Sequence, residues 1–93
     1  MRTFIMLGTY SSDAIENISG ERTKIAETVI SNNEGKLKSM YILLGDYDIH
    51  IIAEFPDMRH AMKASISLTK RTDIIFSTSE AFSAEEFDTL MHE

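Results

Sequence analysis

The chain contains no cysteine. That excludes disulfides, thiolate metal sites, cysteine nucleophiles and cysteine-ligated iron–sulfur clusters, and it suits a reducing cytoplasm, the expected location. Basic residues are few: nine Lys and Arg stand against fifteen Asp and Glu, a net charge of −6. Nucleic-acid binding depends on clustered Lys and Arg against phosphate, so no nucleic-acid partner is expected. The acidic residues from Glu85 onward weigh the same way. No apolar run approaches a membrane span, and the one in MRTFIMLGTY is too short for a signal peptide. The four glycines are scattered, so there is no phosphate-cradling loop, and no Gly-x-Ser-x-Gly elbow occurs. No cofactor is expected. The remaining composition is that of an ordinary globular protein, and 93 residues make a single domain, 1–93.

What is present is organised around KLKSMYILLGDYDIHIIAEF, residues 36–55. Two runs rich in β-branched and apolar residues flank Gly45-Asp46, which predicts a hairpin closed by a two-residue type II′ turn. Such a turn fixes the register: Leu44 with Tyr47, Ile42 with Ile49, Met40 with Ile51 and Lys38 with Ala53 share one face. Leu43 with Asp48, Tyr41 with His50, Ser39 with Ile52 and Leu37 with Glu54 share the other. The first face is a core face. The second is too apolar for plain solvent and too polar for a simple core.

Residues 3–10 read as a strand apolar on both sides, Phe4 and Met6 on one, Ile5 and Leu7 on the other, as in the middle of a covered sheet. Ser11-Ser12-Asp13 caps a helix whose stripe is Ile15, Ile18, Arg22, Ile25 and Val29, with a weak point at Ser19-Gly20 and a left-handed Gly35 at its end. Pro56-Asp57 opens a second helix with stripe Met58, Ala61, Met62, Ser65, Ile66 and Thr69, leaving Arg59, His60 and Lys63 toward solvent. Met6, Met40, Met58 and Met62 read as core filler. Residues 74–82 form the last strand, and Ser83 with Glu86 makes a capping box for a short helix carrying Phe87, Leu90 and Met91.

The order βαββαβ plus a short helix is an α+β, ferredoxin-like arrangement: a four-stranded antiparallel sheet, two helices on one face, first and third strands central. Two helices cover one face of the sheet. The other exposes an apolar patch including Tyr41, Leu43 and Ile52, and such a patch marks an association surface. A homodimer packed sheet on sheet is the expected assembly.

Tyr41, then Leu44-Gly45-Asp46-Tyr47-Asp48, then Glu54-Phe55-Pro56-Asp57 resemble the signature of the GYD domain family, named for a Gly-x-Tyr-Asp-like turn. Tyr10, Arg22, Ala81-Phe82-Ser83 and Glu85-Glu86-Phe87 extend the resemblance over nearly the whole chain. The chain departs from the pattern at Glu34-Gly35, where paired glycines are common, at Thr72-Asp73, where Gly-Asn is common, and at Glu80, where a basic residue is common. The resemblance implies a dimeric α+β barrel. At the level of the fold its relatives include cofactor-free oxygenases, haem proteins and small-ligand sensors, so it selects no chemistry.

Five residues are candidates for a site. His50 faces Tyr41 in the predicted register, with Asp48 beside it, and this trio suits a proton shuttle or a polar ligand; the alternative is a hydrogen-bonded histidine at a subunit interface. Asp48 is either part of a pocket rim or an acceptor at the turn. Arg22 breaks an apolar stripe and either anchors an anion or a carboxylate such as Glu54, or lays its stem on the core with its head in water. Glu54 lies about 13 Å from His50 along an extended strand, and His50, His60 and His92 show no ligand spacing, so no metal site is expected. The leading expectation is a homodimeric small-molecule-binding domain in a sensory, accessory or stress-related role. The alternatives are a cofactor-independent enzyme using His50 and Tyr41, and an interaction module without a pocket.

Overall fold

Strand β1 (Arg2–Tyr10) runs through the middle of the sheet in the computed structural model, which describes residues 1–16 and 20–92. After it come α1 (Ser12–Glu16), α2 (Glu21–Asn32), β2 (Lys36–Ile42), β3 (Ile49–Phe55), α3 (Met58–Thr72), β4 (Ile74–Ala81) and α4 (Ala84–Met91). The strands form one antiparallel sheet in the order β2-β3-β1-β4, with β1 and β3 central. This is the ferredoxin-like α+β arrangement that the order of elements predicts. The period-2 alternation of the two central strands divides the sheet cleanly. Phe4, Met6, Ile49, Ile51, Ala53 and Phe55 are buried beneath the helices, while Ile5, Leu7, His50, Ile52 and Glu54 lie half-buried on the opposite, open face.

The hairpin departs from the predicted one at both ends. From Ser39 to Ile42 the register is as expected, Tyr41 opposite His50 and Ile42 opposite Ile49. No glycine among the described residues has positive φ, so Gly45 does not form a type II′ turn, and the segment Leu43–Asp48 is a loop. Asp48 explains this: its amide donates to the Gly8 carbonyl of β1 at 2.7 Å, while its own carbonyl accepts from the Leu43 amide at 2.6 Å. The segment before β3 is therefore tied to β1 as well as to β2. At the other end a bulge at Lys38 shifts the pairing, so Leu37 stands opposite Ala53 and Lys36 opposite Glu54. The extra residue reverses the alternation, turning Leu37 onto the core and leaving Lys38 exposed on an edge strand.

The helices also bury different faces from those the apolar periodicity suggests. Gly20 stands at the N-cap of α2; Ile18 and Ser19 lie outside the described residues. Ala14 is buried in α1 while Ile15 is exposed, and α2 presents Ala26, Val29 and Ile30 to the core, with Arg22 and Ile25 half-buried beside them. On α3 the buried residues are Ala61, Ala64, Leu68 and Thr72, whereas Met58, Met62 and Ile66 are exposed. Small alanines let the helix backbone approach the sheet, and the bulky side chains that dominate the sequence pattern flank the contact instead. Met6 is the methionine that is fully buried core; Met58 and Met62 are not core filler. Asp57 caps α3, accepting from the His60 amide, and Ser83 with Glu86 forms the expected capping box.

Candidate functional site

The five candidate residues do not converge on one point. Tyr41 and His50 are register partners on the open face, with Leu7 on the far side of His50. Glu54 lies on the same face between Thr3 and Lys36. No hydrogen bond joins His50 to Tyr41 or to Asp48 among the described residues. The Asp48 carboxylate accepts instead from the Tyr10 amide at 2.9 Å, which closes the end of β1. Arg22 lies on the helix-covered side of the sheet and Glu54 on the open side, so these two are not a pair.

Arg22 has the least ordinary surroundings of the five. The first residues of α2 set its guanidinium against Tyr10, its central carbon 5.8 Å from the ring centroid, a cation–π arrangement. A recess of about 280 Å³ opens there, lined by Tyr10, Arg22, Met40, Ile42, Leu44 and Ile49 together with Thr23. One guanidinium nitrogen, Nη1, is buried and has no hydrogen-bond partner among the described residues. Leaving a buried donor unpaired costs about 1–3 kcal/mol, and more when it is charged. A head group lying wholly in water would incur no such cost, so this arginine is not simply snorkelling. The sequence singled out Arg22 by its break in an apolar stripe; Tyr10, Met40 and Ile42 carried no comparable mark, because their meeting depends on how α2 crosses the sheet.

A second polar cluster lies where α2 ends and α3 begins. His60, expected toward solvent, is half-buried between two carboxylates: Nδ1 lies 2.7 Å from Asp57 Oδ1 and Nε2 lies 2.7 Å from Glu34 Oε2. With the ring protonated both nitrogens donate, and the cluster ties the end of α2 to the start of α3. The Asp57 hydrogen bond holds the imidazole above its ordinary pKa; partial desolvation opposes this and Glu34 adds to it. The same bond from His60 holds the Asp57 carboxyl below the usual range. The Asp57–His60 half follows from an N-cap three residues before a histidine, but the Glu34 half is a tertiary contact. Because His60 is raised on folding, its contribution is complete below the ordinary imidazole value of about 6.5 and fades as pH rises through its folded value. Asp57 is depressed, so its contribution is present above about 3.9 and fades as pH falls through its folded value. The cluster is therefore fully stabilising between those ordinary values. Thermal melts of the parent and of His60→Gln should differ most there and converge as pH rises; a difference that stays constant through that rise would show that the charge contributes nothing.

Among the described residues no group of three or more His, Asp or Glu is arranged to hold a metal ion, and no helix is long and apolar enough to cross a membrane. No curated protein and no solved structure matches the chain. A family model, that of the GYD domain, does match, over residues 4–91. That span takes in β1 from Phe4 onward, both parts of the hairpin, the Arg22 recess and all of α4, which is nearly the whole chain. The chain therefore belongs to the GYD domain family.

Proposed function

We infer that the protein is a homodimeric small-molecule-binding domain, serving a sensory, accessory or stress-related role in the cytoplasm. The observation that carries the binding reading is the recess beneath α2, apolar but for Arg22 at its wall, a side chain with one buried guanidinium nitrogen that has no partner among the described residues. Apolar walls with a few polar groups to fix orientation are the usual form of a small-ligand site. The proton-transfer alternative has less behind it, because the Asp48 carboxylate accepts from the Tyr10 amide and not, among the described residues, from His50.

The dimer is supported by the open face. Ile5, Leu7 and Ile52 form its centre, flanked by exposed Tyr41 and Ile75. Helix α4 leaves the sheet at one corner of this face, where Ile5, Ile52, Ala81, Phe82 and Glu86 line a shallow recess. It buries no residue of its own and leaves Phe87, Leu90 and Met91 exposed. A second copy covering both surfaces would remove a continuous apolar area from water. One preparation of isotope-labelled protein tests both parts. Light scattering at micromolar concentration is expected to give twice the 10.5 kDa chain mass, and titration with small amphiphiles is expected to shift the amides of Tyr10, Met40 and Ile49 together. A monomer removes the dimer from the reading; shifts that avoid those three residues remove the ligand.

A further inference from the structure

The geometry points to a monocarboxylate with a short apolar body as the ligand of the recess beneath α2, an inference that rests on the small-molecule reading above. Met40, Ile42, Leu44 and Ile49 give the recess its apolar lining, and its volume of about 280 Å³ suits a body of a few carbons better than a nucleotide or a haem. Among the described residues Arg22 is the one charged side chain lining it, and its Nη1 is buried without a partner there. A neutral apolar ligand offers the guanidinium no acceptor, whereas a carboxylate accepts its fork in two parallel bonds.

Charge narrows the class further. A single cation among the described residues lining the recess, in a chain of net charge −6, matches a singly charged headgroup and not a phosphate dianion, which needs several donors. Two carboxylates of the hairpin, both site candidates, are engaged elsewhere or out of reach. The Asp48 carboxylate accepts from the Tyr10 amide, and Glu54 lies on the opposite face of the sheet, level with Lys36. An external carboxylate would complete Arg22 without displacing either.

The test is calorimetric titration of the full chain with sodium octanoate, 1-octanol and octylammonium chloride, using the parent, Arg22→Met and Arg22→Lys. Met keeps the length and apolar stem of the side chain, and circular dichroism checks that each variant is folded. Octanoate should bind the parent about tenfold or more tightly than 1-octanol, with octylammonium weakest. Arg22→Met should abolish the preference for octanoate while leaving 1-octanol binding nearly unchanged, and Arg22→Lys should keep part of it. Equal binding of octanoate and 1-octanol by the parent, or a preference that survives in Arg22→Met, overturns the ligand class and leaves the small-molecule reading standing. If none of the three probes binds the folded parent, the small-molecule reading fails together with the class. Should Arg22→Met not fold, the octanoate to 1-octanol ratio of the parent against Arg22→Lys decides in the same way.

Discussion

Replacing Phe55 by alanine is expected to destabilise the protein by about 3–5 kcal/mol, the usual cost of emptying a buried aromatic site. Phe55 is fully buried at the end of β3. Its ring meets that of Phe4 edge to face, centroids 5.8 Å apart and planes at 69°, a geometry that adds to the value of its buried area. The ring also packs against the Gly35 backbone on the way into β2. Three chain segments therefore line the space its removal would open. Two of them are held in strand pairings, so collapse into the cavity is restricted. A shift of urea midpoint without a change in slope is the expected signature. Since domains of this size have total stabilities of about 5–15 kcal/mol, the variant should be close to unfolding at physiological temperature. A loss below about 1.5 kcal/mol would mean the site relaxes freely and Phe55 is not a fixed part of the core.

Gly35→Ala, a change of one methyl group, should cost about 1–3 kcal/mol by overpacking. A Cβ there would fall 2.5 and 2.6 Å from two carbons of the Phe55 ring and 2.8 Å from the Glu54 carbonyl oxygen. The ring can turn aside at some cost, but the carbonyl belongs to a paired central strand and cannot. Left-handed backbone is not the reason for this glycine. The residue with positive φ at the end of α2 is Glu34, at 59°, whose amide donates to Ser31 while that of Gly35 donates to Ile30. Those two bonds make a Schellman motif with Glu34, not Gly35, in the C′ position. Chemical denaturation of Gly35→Ala alone and combined with Phe55→Leu would separate the two contacts. The cost of the alanine should shrink in the Phe55→Leu background, a coupling of the size seen between touching residues. If the costs simply add, the crowding is against Glu54 alone.

The part of this protein legible from residue order is the part governed by local rules. Alternation in residues 3–10 and 49–55 told which side chains share a sheet face, and Asp57 and Ser83 marked helix starts through hydrogen bonds spanning three residues. Tyr41 and His50 were placed opposite each other by strand pairing, and they are. The misreadings arose where a local rule met a competing contact. Asp48 is bound to β1 and opens the supposed tight turn, Lys38 inserts a bulge that reverses Leu37, and alanines rather than methionines carry α3 against the sheet. None of these can be read from periodicity, because each is decided by a partner distant in the chain.

The same division runs through the candidate site. Residue order alone determined the α+β sheet of four strands, its two central strands and the family to which the chain belongs, because backbone hydrogen-bonding periods and turn chemistry act over a few residues. Tertiary structure alone decided that Arg22 and Glu54 lie on opposite sides of the sheet, that His60 reaches Glu34, and that Arg22 meets Tyr10 and Met40 around a recess. Which side chains surround a charge depends on the angle at which a helix crosses a sheet, and that angle is set by the packing of the whole core.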